Sequence, residues 1–118
     1  MSRIGMNKVF LIGQVASEPR FKVVPQKDLP RLWFRLCTVE TSADDNGFQR
    51  ERSAYHSIVV WGGLARVLKE LVREKQTVAI EGRIASRSFD QAGKPRYETE
   101  IVVSKLVVLE ARGDAAAA

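Results

Sequence analysis

Tyr55, Ser57, Val59 and Trp61 share one parity along a stretch in which His56, Ile58 and Val60 take the other. Arg83, Ala85, Arg87 and Phe89 alternate in the same way with Ile80, Gly82 and Ile84, and Trp33 and Arg35 alternate with Phe34 and Leu36. Read as strands, all three stretches carry aliphatic groups on one face and present rings and guanidinium groups on the other. An aromatic face stacks on any flat π system, and an arginine fork pairs with phosphate. Together they suit single-stranded nucleic acid, because each base stacked on a ring contributes ~1–3 kcal/mol while cations line the phosphate path. Stacking of that kind discriminates little among bases, so low sequence specificity follows. The competing account makes Tyr55, Trp61 and Phe89 a second apolar face under another layer, the usual fate of a lone aromatic. Arg83 and Arg87 weigh against it, since two buried arginines would each need a partner.

Other chemistry finds little support. There is no glycine loop of the phosphate-cradling kind, no CxxC pair and no HExxH. His56, the only histidine, reads as a core-rim or interface residue, because a metal site needs several donors. Asp44 and Asp45 sit beside an Asn-Gly pair and read as a solvated loop tip. Glu98 and Glu100 share a strand face, where cross-strand pairing with arginines is a simpler role than a catalytic carboxylate pair. Cys37 has no histidine placed beside it and reads as a small, half-buried side chain. No catalytic residue, metal or cofactor is expected, so the chain reads as a binding protein rather than an enzyme. A nuclease on the same scaffold would need clustered carboxylates and a metal.

The elements that must position the rings follow from period and punctuation. Asn7 to Val15 is an apolar strand with Gly13 at a bend, Leu32 to Thr41 a second, and Glu51 to Trp61 a third. Asn46-Gly47 between the last two marks a hairpin turn with positive φ angles. Leu64, Val67, Leu68, Leu71 and Val72 then fall at i, i+3, i+4, i+7 and i+8, one apolar helical stripe that reads as core. Thr77 to Phe89 resumes strand, a turn follows at Gln91 to Pro95, and Arg96 to about Leu109 is the last strand. The expectation is an all-β chain with one helix: a five-stranded Greek-key OB-fold barrel with the helix between strands 3 and 4.

At 118 residues the chain has room for one core, expected over residues 1–110, with 111–118 a short flexible end. The net charge of +5 and a pI near 9.7 favour a polyanionic partner. The apolar run Val9 to Ile12 is far short of the ~20 residues of a membrane span, and no signal-peptide stretch follows Met1 to Lys8. No membrane role is expected. A single cysteine fits a reducing compartment, hence the cytoplasm.

Four blocks resemble the bacterial single-stranded DNA-binding protein family: Asn7-Lys8-Val9-Phe10-Leu11-Ile12-Gly13, Tyr55 to Gly62, Ile80-Glu81-Gly82-Arg83, and Arg96 to Val103. The likeness runs in order over nearly the whole chain. It implies an OB-fold, wrapping of single-stranded DNA in replication, recombination and repair, a nucleoid-associated setting, and a homotetramer, with a dimer as the alternative. By that likeness Tyr55, Trp61 and Phe89 stand where the family stacks bases, and Lys8, Arg35 and Arg87 stand on its DNA path, joining Trp33 and Arg83 from the alternation. Met6, Asn7, Val9, His56 and Val78 lie near its strand-to-strand contact between subunits. Two departures stand out. A further stacking tryptophan of the family is replaced by Ser42, for which Trp33 is the candidate substitute. The family's long tail with an acidic, apolar tip, which recruits replication enzymes, has no counterpart in Gly113-Asp114 and four alanines, so recruitment is not expected. The rival resemblance is to primosomal replication protein B, a bare OB domain that bridges DNA and a helicase; it implies a dimer and a weaker aromatic set.

Overall fold

The computed structural model describes residues 3–110; the expected flexible end at 111–118 lies outside them. Six strands and one helix follow in the order β1 (Val9–Val15), β2 (Arg20–Val24), β3 (Leu29–Ala43), β4 (Gln49–Trp61), α1 (Gly63–Leu68), β5 (Thr77–Gln91) and β6 (Lys94–Glu110). The sheet runs β1-β5-β6-β4-β3-β2, and a β1–β3 pairing closes it. Every ladder is antiparallel except β4–β6, which is parallel at Ile58/Ile101 and Val59/Val102. β1 and β2 lie end to end along β3, with Val15 opposite Leu36 and Arg20 opposite Trp33. They are one barrel strand interrupted at 16–19, so the barrel is five-stranded. It is the OB-fold read from the alternation.

β2 is absent from the sequence-based expectation. Its five residues are bounded by Pro19 and Pro25, which read as loop. Its ladder to β3 overrides that signal. At the break, the Arg35 amide donates to Ser17 Oγ at 2.9 Å and the Ala16 amide to the Arg35 carbonyl at 2.8 Å, so side chain and backbone together bridge the interruption.

The inward parity of each strand builds one core: Val15, Leu32, Phe34, Leu36, Ile58, Val60, Val78, Ile80, Ile101 and Val103, joined by Ala65, Leu68 and Val72 from the helix and the turn after it. The helix is shorter than its apolar stripe implies. Val67 is 57% exposed, about 100° around the axis from Leu68, and Leu71, 53% exposed, lies in the turn beyond the helix. The buried stripe is therefore Leu64, Ala65, Leu68 and Val72. Two strand parities also depart from the simple pattern. Ile84 stays on the side opposite Arg83 but is 47% exposed, because the β5–β6 hairpin runs on past the barrel there. Val59 is on the outward side yet fully buried, with Trp33 and Val102 as its ladder partners.

The hairpin turns separate two chemistries. Between β3 and β4 only Gly47 has positive φ (84°), so Asn46-Gly47 does not form the two-residue positive-φ turn expected of the pair. Instead Asp44 Oδ1 accepts the Asn46 and Phe48 amides, both at 2.9 Å, and holds a longer turn. Between β5 and β6, Ala92 (φ 53°) and Gly93 (φ 77°) are the two residues of a tight turn, with Gln91 opposite Lys94. Alanine is costly in that left-handed region, by about 1–2 kcal/mol. Ala92→Asn supplies the residue this turn prefers and should raise stability by about 1 kcal/mol, read in a denaturant melt. An unchanged midpoint would show the turn relaxing without strain.

Candidate nucleic-acid interface

β3, β4, β5 and β6 bring their outward residues to one concave side of the barrel, where an open cleft of about 580 Å³ is found. β3 contributes Arg31, Trp33 and Arg35, β4 Ser57, β5 Arg87, and β6 Glu98 and Glu100; Ser17 to Arg20, at the break between β1 and β2, form the opposite wall. None of Trp33, Tyr55, Trp61 and Phe89 belongs to the core cluster. Tyr55 is 59% and Phe89 37% exposed, while Trp33 and Trp61 are half-buried.

Each of those four rings has an arginine beside it. The Arg31 guanidinium carbon lies 4.3 Å from the Trp33 ring centre and 5.6 Å from that of Trp61. Arg35 stands 5.9 Å from Tyr55, and Arg87 5.2 Å from Phe89. At these separations the ring quadrupole attracts the cation, a contact worth roughly 0.5–2 kcal/mol depending on desolvation. Rings and cations are thereby held together, which is what a stacked, phosphate-linked chain of bases requires.

Carboxylates balance part of that charge. Arg87 reaches Glu98 Oε2 at 3.2 Å and Glu100 Oε2 at 3.3 Å, and Arg31 reaches the same Glu100 oxygen at 3.3 Å. Ser57 Oγ donates to Glu98 at 3.0 Å. The two glutamates are thus cross-strand partners of arginines, the simpler of the two roles open to them. Among the described residues no group of three or more His, Cys, Asp and Glu is placed to hold a metal.

Trp33, Arg35 and Arg87 line the cleft itself, and Tyr55, Trp61 and Phe89 adjoin it through their arginines. Lys8 and Arg83 do not. They share a separate shallow depression with Asn7, Glu81 and Ser104, where Lys8 Nζ sits 3.7 Å from Glu81. Arg31 and Arg20 are the residues that sequence reasoning missed. Arg31 stands two before Trp33, so the same parity would have found it had the strand been started earlier; Arg20 needed β2.

The residues expected near a subunit contact scatter. Met6 is 92% exposed. Asn7 bonds both the amide and the carbonyl of Ile84, at 2.8 and 2.7 Å, and so extends the β1–β5 ladder through its side chain. Val9 is half-buried against the core, and His56 is half-buried with Thr38 Oγ1 2.9 Å from Nε2. Val78 shares the inward parity of Ile80 and is fully buried, so its side chain packs in the barrel core.

A closed five-stranded barrel with a basic, ring-lined cleft on its outer side defines an OB-fold module of the kind that binds extended oligomers. The chain belongs to the single-strand binding protein family, whose model matches residues 6–109. It is 36% identical over 111 residues to single-stranded DNA-binding protein 1 of Chlorobaculum tepidum, covering 92% of this chain and 67% of that protein. It is 37% identical over 115 residues to the single-stranded DNA-binding protein of Rhizobium meliloti, covering 92% and 66%. It therefore spans about two thirds of the length of these curated relatives. Among solved structures, the Plasmodium falciparum SSB complex with single-stranded DNA superposes with a TM-score of 0.80 at 27% identity, over 93% of this chain and 100% of that one.

Proposed function

We propose that this protein coats and protects single-stranded DNA in replication, recombination and repair, without regard to base sequence and without catalysing a reaction. The observation that carries this is the pairing of Trp33, Tyr55, Trp61 and Phe89 with arginines 4.3 to 5.9 Å away on one open side of the barrel. Rings take the bases, and cations released from carboxylates or free in the cleft take the phosphates. The solved Plasmodium falciparum complex holds the same class of ligand. A cytoplasmic, nucleoid-associated setting goes with this function and with the free thiol of Cys37.

The same proposal includes self-association as a homotetramer. Phe10 (67% exposed), Ile12 (65%), Val107 (45%) and Leu109 (53%) form an apolar strip on β1 and β6, with Ile12, Ala79 and Val107 in one cross-strand row. A strip of that kind marks a contact surface. The four-ring set weighs against the dimeric bridging role of a protein like primosomal replication protein B.

Titration with poly-dT under light scattering tests both parts together. The expected particle is four times the 13.2 kDa of one chain. Its affinity should fall with salt, with a log–log slope of about −0.7 per phosphate neutralised. A flat salt response would remove the phosphate-tracking cleft, and a particle of two chains would remove the tetramer.

A further inference from the structure

Resting on that function, we infer that Glu100 is the positioning residue of the cleft: one buried carboxylate oxygen that sets three stacking rings through two arginines. Glu100 projects from β6 and is only 5% exposed. Its Oε2 accepts from Arg31 Nη2 of β3 and from Arg87 Nε of β5, each at 3.3 Å. Arg31 lies against Trp33 and Trp61, and Arg87 lies against Phe89. Nothing else described in the cleft joins these three rings, which come from three different strands. A carboxylate buried this deeply is tolerated only while its charge is matched, so Glu100 holds both guanidinium groups in place. An anchored guanidinium in turn fixes the ring it lies against before any base arrives. Ordering the rings in advance removes that entropic cost from binding.

Arg31 therefore serves differently from the other cations. Its side chain is 18% exposed and is committed to Glu100, against 41% for Arg87. Losing it should disturb the rings without removing a phosphate contact. Glu98 differs from Glu100 in the opposite sense. It is 38% exposed on its side chain, pairs with Arg87 alone among the cations, and touches no arginine that lies against a tryptophan. Glu98 competes with phosphate for Arg87; Glu100 arranges.

The sign of the effect separates the two roles. In Glu100→Gln the binding of labelled oligo-dT should weaken about tenfold, near the low end of one stacked base. If Glu100 were only a rival of phosphate, its removal would tighten binding. Trp33 and Trp61 are the only tryptophans in the chain, so tryptophan emission of the DNA-free protein, excited selectively over tyrosine, reports on this site alone, and it should change in the same variant. Arg31→Met should give a similar loss and emission change with the salt slope unaltered, whereas a phosphate ligand would lower the slope by about 0.7. Binding by Glu100→Gln as tight as wild type, or tighter, overturns the inference, as does a reduced slope in Arg31→Met. Should Glu100→Gln fail to fold, unchanged affinity and emission in Arg31→Met overturn it alone. A wild-type chain that binds no oligo-dT would sink the proposed function instead, and the DNA-free emission would still decide whether Glu100 sets the rings.

Discussion

Gly82→Ala should cost the fold about 3 kcal/mol or more, the upper range for forcing an atom into a packed site. A Cβ at Gly82 would stand 2.2 Å from the Val102 carbonyl oxygen and 3.2 Å from the Val103 Cα, all backbone atoms that no rotamer change can move. The position is buried and sits at the register shift between Glu81 and Gly82, where β5 bends against β6. To make room, β6 would have to withdraw. On its other side β6 holds β4 through a short parallel ladder at Ile58/Ile101 and Val59/Val102, so the same displacement strains the seam that includes Val102 itself. At roughly 4 °C per kcal/mol for a domain of this size, the thermal midpoint should drop by about 12 °C or more. Gly63→Ala provides the control: nothing lies within 4 Å of its Cβ, so stability there should hold. Equal midpoints for the two variants would mean that β6 withdraws from Gly82 without cost.

That a glycine was needed at a barrel corner was readable at Gly13, which stands inside an apolar strand; its Cβ would meet the Cys37 carbonyl oxygen at 2.3 Å. Alternation also exposed most of the architecture, because in a closed barrel one parity must be apolar along every strand. Leu32, Phe34 and Leu36 inward with Trp33 and Arg35 outward is that rule in five residues. What escaped were features set by long-range contact. β2 exists because β3 pairs with it, against the local signal of two flanking prolines. Arg31 is tied to the far side of the cleft by Glu100, a residue 69 positions away. Val59 is buried by neighbours on its own face, and no periodicity encodes which outward residue a larger one will cover. Arg83, placed outward by parity, and Lys8, placed by resemblance, show the converse: both are exposed, but they line a different depression from the cleft.

Replacing either cleft tryptophan by alanine should weaken oligo-dT binding by about 2 kcal/mol, roughly thirtyfold, if each ring holds a base. Labelled oligo-dT anisotropy is the suitable readout, because each single variant removes one of the two tryptophans and the double variant removes both. The double variant is the more informative measurement. Independent rings would lose about 4 kcal/mol together, since distant substitutions add. Trp33 and Trp61 are not independent: Arg31 lies 4.3 Å from one and 5.6 Å from the other, and is itself held by Glu100. Removing the first ring already loosens the guanidinium that supports the second, so the pair should cost about 3 kcal/mol, short of the sum. Packing offers a distinct signature. Trp33 stands directly opposite the fully buried Val59, so a ring that merely roofs that valine would show a lowered melting temperature in Trp33→Ala with affinity intact. Loss of affinity in both single variants, with coupling in the double, requires instead that two rings and the cation between them meet the DNA as one surface.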